Sequence, residues 1–227
     1  APYGTKGPET IARYAREDAQ LLRSRGCEFL VVACNTMSAI AIRDLWTAFP
    51  STPGVEVVTP AVDAACAATQ NGRIGIIGTR ATVTSQVYER EIRRRLPTLQ
   101  VCAQACPLLV PLVEEGWLTH PVTETVLREY LDPIRASGVD TLILGCTHYP
   151  ILEPLIAQVM GADVRIVNPA RAVARIVHDR LQRDPIRATA CRGSARVFLV
   201  TDRTPHFERL ATDWLGIPVH LEVTNIS

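Results

Sequence analysis

Apolar and polar positions follow two alternating rhythms along the chain. From Pro8 to Arg25, Ile11, Ala15, Ala19 and Leu22 fall on one helical face, and Gly26 is placed to end that helix. FLVVA (29–33) is a short continuous apolar run, the pattern of a strand covered on both faces. A helix from about Ser38 to Ala48, a strand VEVVT (55–59) and an alanine-rich helix over 61–69 come next. The pattern then restarts. GRIGIIGT (72–79) reads as a glycine-bounded strand, and Thr84 to Leu96 has helical spacing through Val87, Ile92 and Leu96. Strand LQVCA (99–103) leads to an apolar helix, PLLVPLVEEGWL, and a longer one over 122–136. TLILG (141–145), a helix over 150–160, VRIVN (164–168), a helix over 170–182, RVFLV (196–200), a helix over 205–215 and VHLEV (219–223) complete the series. This βα repetition predicts an α/β fold of mainly parallel sheets with helices on both faces.

Two stretches look like copies of one unit. FLVVACNT and TLILGCTH align as strand, small residue, cysteine, polar residues and helix start. Cys34 and Cys146 thus stand at the carboxyl ends of predicted strands, the edge where open α/β sheets bind ligands. Two halves facing each other would bring both thiols to one cleft. Each cysteine taken alone reads equally well as a small buried hydrophobe.

Composition narrows the chemistry. The chain has 227 residues, 47% apolar and 21% charged, with a net charge of +1. That balance fits a globular protein and gives no electrostatic footprint for nucleic acid or an anionic membrane. Arg93, Arg94 and Arg95 end a predicted helix, where they complement its dipole. No apolar run approaches the ~18 residues of a membrane span. The seven cysteines are an odd number with no C-x-x-C, and Cys102 and Cys106 lack a partner pair at zinc-site spacing. Reduced thiols in a cytoplasmic compartment are expected. The glycines at 72, 75 and 78 do not form G-x-G-x-x-G, and no phosphate-loop or G-x-S-x-G motif is present.

A free thiol has a pKa of about 8.5, which a helix N-terminus can lower. Thr36 and Thr147 stand where they could cap the next helix, so Asn35, Thr36, Thr147 and His148 could hold a carboxylate between the thiols. A thiolate on one side of a carbon and a thiol on the other is what a two-base racemase requires. Nucleophilic catalysis by Cys146 with His148 is the alternative, and it leaves Cys34 without a role.

PYGTK (2–6), VVACNT (31–36), NGRIGIIGTRAT (71–82), QACPLLVPLVEEGW (104–117) and LGCTHYPIL (144–152) carry a resemblance over nearly the whole chain. As a set they resemble the glutamate racemases of the cofactor-independent aspartate/glutamate racemase superfamily. The Cys-Thr-His ending points to the glutamate branch. The resemblance implies two pseudo-symmetric α/β domains with the active site in the interdomain cleft. Residues 1–59 with 169–227 would form the first and 60–168 the second, crossing near Thr59-Pro60 and Asn168-Pro169. It further implies that Cys34 is the base facing D-glutamate and Cys146 the base facing L-glutamate, with His148 assisting Cys146. Tyr3, Gly4, Asn35, Thr36, Thr147 and His148 match substrate-binding positions. A glutamate of the V-E-E-G stretch belongs near the active site, with Glu114 the better fit and Glu115 the neighbour.

The implied activity is an isomerase that supplies D-glutamate for peptidoglycan in the bacterial cytoplasm. It would use no pyridoxal phosphate, metal or nucleotide, and glutamate would be its partner. It would bind no nucleic acid or membrane, and a homodimer is an assembly it allows. Cys27, Cys66, Cys102, Cys106 and Cys191 read as packing or surface thiols, and His120, His178, His206 and His220 as structural or solvent-exposed. Thr79 and Thr82 read as helix caps first and substrate contacts second.

The family also begins with a strand and a glycine-rich turn bearing an Asp-Ser pair, whose aspartate assists the first cysteine. The present sequence opens at APYGTK. The expectation from this difference is a poorly stable and weakly active chain. An aspartate or hydantoin racemase, and an inactive racemase-fold protein that binds ligand or partner only, stay open as alternatives.

Overall fold

Pro8 opens the first helix, α1 (Pro8–Ser24), at a position where the ring's missing N–H costs nothing. Gly26, at φ +82°, takes the left-handed conformation that ends it. The computed structural model describes residues 3–184, 189 and 196–226. Cys191 lies outside them. By compactness, the chain to Val173 forms one unit and the chain from Ala174 a second.

In the first unit, a short 3₁₀ turn (Tyr3–Thr5) precedes α1. Then come β1 (Leu30–Val32), α2 (Asn35–Ile40), α3 (Ile42–Ala48) and β2 (Gly54–Glu56), with β1 and β2 paired in parallel. Ile11, Ala15 and Ala19 of α1 pack with Leu30, Met37, Ala41 and Leu45 to form one core. The apolar run at 29–33 predicts a strand covered on both faces, yet Val31 is 46% exposed. Side chains alternate across a strand, so Leu30 enters the core while Val31 points to the opposite face.

The strand expected at 55–59 stops at Glu56. The buried Glu56 carboxylate accepts the N–H groups of Val58 (2.5 Å) and Thr59 (2.7 Å), which starts helix α4 (Val58–Ala68). Pro60 stands in its first turn, where a proline is tolerated.

A four-stranded parallel sheet comes next. Its strands are β3 (Arg73–Gly78), β4 (Gln100–Ala105), β5 (Thr141–Gly145) and β6 (Arg165–Val167), in spatial order β4-β3-β5-β6. Helices α5 (Arg80–Thr84), α6 (Val87–Arg95), α7 (Leu109–Glu114), α8 (Pro121–Ala136) and α9 (Glu153–Met160) connect and flank these strands. Ile74, Ile76 and Ile143 pack with Val58, Ala61, Val62 and Ala65 of α4 and with Tyr88 and Ile92 of α6. On the other face a Cβ at Gly75 would meet Ile134 of α8 at 2.8 Å. All five residues of β5 are buried, which explains the unbroken apolar run TLILG.

The sequence predicts single helices at 38–48, 84–96 and 150–160. In each place the structure has two shorter segments: α2 and α3, α5 and α6, and a 3₁₀ turn (Tyr149–Leu152) before α9. The break at α5–α6 falls on Gln86, the one non-glycine among the described residues with a positive φ, at 54°.

The carboxyl ends of three strands share one level. Gly78 registers with Ala105 on one side and Gly145 on the other, so Thr79, Cys106 and Cys146 begin adjacent loops. At the foot of the sheet, Asp140 accepts from the Thr69 hydroxyl (2.7 Å) and the N–H groups of Gln70 (2.7 Å) and Asn71 (2.6 Å). This fixes the turn into β3.

Helix α10 (Pro169–Gln182) runs across the division between the units. The second unit holds β7 (Phe198–Val200), α11 (Pro205–Leu215) and β8 (Leu221–Val223), a parallel pair with its crossover helix. Thr204 caps α11 by accepting the Phe207 N–H at 3.1 Å.

Candidate functional site

The two cysteines occupy matching local environments. Cys34 follows β1 and is itself the N-cap of α2, where its sulfur accepts the Met37 N–H at 3.5 Å. The expectation that Thr36 caps this helix is therefore corrected. The helix begins at Asn35, so Thr36 is already inside its first turn. Burial pushes the Cys34 thiol up; the N–H groups of Met37 and Thr36 and the Thr36 hydroxyl oppose that by favouring the thiolate.

Cys146 follows β5 and is 6% exposed. Its thiol is pushed up to about 12, first by burial and then by the charge of Cys34, against the N–H groups of His148 and Tyr149 and the Thr147 hydroxyl. Both sulfurs thus have favourable donors two and three residues on. Cys146 also feels the charge of Cys34.

His148 is two residues beyond Cys146, with Nδ1 3.9 Å from the Cys146 sulfur and 3.4 Å from the Thr147 hydroxyl. Its Nε2 stands 3.1 Å from Glu114 Oε1. Of the two V-E-E-G glutamates, Glu114 is the one at the site, while Glu115 is exposed at the end of α7. Thr147 is exposed, and it caps no helix.

On the other side, the hydroxyl of Thr36 lies 3.0 Å from that of Thr79 and 3.3 Å from that of Thr82, with 3.1 Å closing the triangle. Thr79 also caps α5 by accepting the Thr82 N–H. Gly4 lies against this triangle: a Cβ there would come within 2.6 Å of the Thr79 side chain. Tyr3 stacks edge-on against Tyr14, with ring centroids 5.9 Å apart. Its hydroxyl is raised to about 12 by burial, then by the charges of Asp18 and Cys34.

The structure therefore gathers Tyr3, Gly4, Asn35 and Thr36 around Cys34, and Glu114, Thr147 and His148 around Cys146. Sequence patterning understates Thr79 and Thr82. It gives no sign of Asp18, a half-buried carboxyl raised by burial and by Glu17, and the strand reading of VEVVT passes over the part played by the buried Glu56. Tyr88 likewise reads as an ordinary helix residue, yet its hydroxyl donates to Asn35 Oδ1 at 2.6 Å. A Glu four residues ahead of a proline is a usable sign for Glu56, since acidic residues gather at helix starts.

The other sequence candidates stay apart. His120, His178, His206 and His220 are exposed, and the His120 ring stacks on Trp117 with centroids 4.4 Å apart. Cys27 is exposed, Cys66 and Cys102 are half-buried, and Cys106 is buried with its thiol raised by burial and by Cys146. Among the described residues no group of three His, Cys, Asp or Glu could hold a metal ion, and no helix is long and apolar enough to cross a membrane.

Two strand-end thiols, one backed by an imidazole and a carboxylate, form an arrangement suited to acid/base chemistry. Residues 1–177 match the family described as Asp/Glu/Hydantoin racemase. The chain belongs to that family. A glutamate racemase of Geobacter metallireducens is 44% identical over 95% of this chain and 79% of its own length. The crystal structure of glutamate racemase from Francisella tularensis in complex with D-glutamate superposes with a TM-score of 0.92 at 30% identity, covering 100% of this chain and 84% of that one. That of Escherichia coli, in complex with L-glutamate and the activator UDP-MurNAc-ala, gives 0.76 at 28% identity, covering 97% and 82%.

Proposed function

We propose that this chain interconverts L- and D-glutamate by acid/base catalysis between two thiols. Cys34 takes the α-proton from the D-enantiomer and Cys146 from the L-enantiomer, and the opposite thiol returns a proton to the other face. The observation that carries this reading is the pair of strand-end cysteines, each followed by backbone N–H donors, whose neighbours Asn35 and Gly145 both lie against Tyr88. His148, backed by Glu114, serves Cys146 as a proton acceptor. Tyr3, Gly4, Asn35, Thr36 and Thr147 line the substrate, and the hydroxyls of Thr79 and Thr82 join them through Thr36.

Burial holds both thiols protonated at neutral pH. An ammonium group of a bound amino acid beside them would favour the thiolate and set one base ready. Two thiols suffice for the proton traffic, so the reaction is assigned without cofactor or metal. The relatives' names support glutamate as substrate, and the bound enantiomers of the Francisella tularensis and Escherichia coli proteins support access from both sides. The activator of the latter supports a role in supplying D-glutamate for peptidoglycan, and we assign that role to the cytoplasm. The division of the fold into residues 60–168 and the remainder belongs to the same proposal; β3 to β6 form a sheet of their own within 60–168.

The test is α-hydrogen exchange in D₂O with L- and D-glutamate taken separately, with Cys34→Ser and Cys146→Ser alongside. Exchange with inversion for both enantiomers, lost in either variant, supports the two-thiol reaction. Activity that survives both substitutions overturns it, and faster turnover of aspartate or a hydantoin would reassign the substrate.

A further inference from the structure

Tyr88 touches both cysteine loops at once. It sits at the head of α6, just beyond the left-handed Gln86, and is 1% exposed. Its ring lies against Gly145, the residue before Cys146: a Cβ at Gly145 would be 3.3 Å from Tyr88 Cε2 and 2.7 Å from the Ile77 carbonyl oxygen. Only glycine leaves room there. At the other end of the ring, the hydroxyl donates to Oδ1 of Asn35, the residue after Cys34, at 2.6 Å. Asn35 is itself buried, 3% exposed.

We propose that Tyr88 is a positioning residue for the site: it ties the Cys34 loop to the Cys146 loop and fixes the Asn35 amide so that its N–H groups, not its oxygen, are offered to the substrate carboxylate. This rests on the racemase reading above. The amide of asparagine has one accepting and one donating end, and which end faces a ligand depends on what holds the other. Here a phenol holds the oxygen. Burial, together with the charges of Glu56 and Cys146, pushes the Tyr88 hydroxyl well up, so it remains the proton donor of that bond. A phenylalanine would fill the same volume without a buried hydroxyl needing a partner, so the oxygen is not explained by packing.

The experiment compares the full chain with Tyr88→Phe, Asn35→Ala and the double variant. It reads KM and kcat for both enantiomers, together with thermal unfolding. Tyr88→Phe should raise KM by about tenfold, with kcat changed less, by the same kcat/KM factor for L- and D-glutamate. In the Asn35→Ala background the same change should add nothing, because the two act as one unit. Asn35→Asp gives a second route: it keeps an acceptor for the phenol but has no N–H to offer and sets a charge before the substrate carboxylate. KM should therefore rise, with thermal unfolding reporting the cost of the buried carboxylate separately. Wild-type KM in Tyr88→Phe or in Asn35→Asp, or effects that multiply in the double variant, overturn the inference. If the unaltered chain exchanges neither enantiomer, the racemase reading falls and this goes with it. If it does exchange them, the variants judge the positioning role alone.

Discussion

Glu114 Oε1 stands 3.1 Å from His148 Nε2, and the far side of the same ring faces the Cys146 sulfur at 3.9 Å. A carboxylate beside Nε2 draws the ring proton to that nitrogen, which leaves Nδ1 as the acceptor facing the thiol. Glu114→Gln removes that preference, since an amide can present either end. We expect kcat/KM to fall by about ten- to a hundredfold. Mirror-image substrates are equal in energy, so the fall must be the same in both directions. A different factor for L- and D-glutamate in initial-rate assays would show that something other than racemisation is being measured.

Buried thiols and phenols contribute the alkaline limb of stability. Cys146 is raised from 9.0 to about 12, Tyr3 from 10.0 to about 12, and Cys34 upward. In each case the folded state holds the proton more tightly than the unfolded chain. The associated stability is fully present below pH 9 and is lost as pH rises towards 12. The slope is about 1.4 kcal/mol per pH unit for each group in its window. Urea midpoints measured from about pH 8 to 11 should fall, and Cys146→Ala should flatten part of the decline.

Asp140 acts in the opposite pH range. Its slight burial would raise the carboxyl, but the Thr69 hydroxyl, the Asn71 and Gln70 N–H groups and the Thr141 hydroxyl outweigh that and hold it below the usual carboxylate value. The stability it contributes is present above about pH 4 and disappears on acidification through the folded value. Asp140→Ala returns those largely exposed donors to water and should cost about 1 kcal/mol by denaturant unfolding at neutral pH. The cysteine site lies at the opposite strand ends of the sheet, so KM should not move.

Gly4→Ala tests the packing of the first turn on the hydroxyl triangle. The new methyl would meet three atoms of the Thr79 side chain between 2.6 and 3.0 Å. Thr79 must give way, and with it the bonds to Thr36 and Thr82. We expect a loss of about 1–3 kcal/mol in stability and weaker glutamate binding by calorimetry. Unchanged binding would separate the triangle from the substrate.

Much of the site is legible in the sequence because its chemistry lies in short contiguous motifs at strand ends. Cys34 and Cys146 can be placed from apolar runs alone, and His148 comes with Cys146. Tyr88 cannot. In the sequence it is one more apolar-face residue of a helix, and only the left-handed Gln86 and the side-chain-free Gly145 turn it into a bridge. Glu56 is obscured for a related reason. Inside VEVVT it breaks the apolar run as a strand residue would, whereas in the structure its carboxylate ends the strand by capping helix α4. Helix breaks at Ala41 and Gln86 are invisible because the apolar spacing continues across them.

The matched surroundings of Cys34 and Cys146 bear on handedness. One loop design, strand end, sulfur and two inward N–H groups, is used twice, 112 residues apart. Protein backbones come in one hand, so no chain can build a true reflection of itself. It can build the same motif twice and turn the copies toward a shared centre. A host made this way presents similar walls to either hand of a guest, which is how a chiral material comes to treat two mirror forms almost alike.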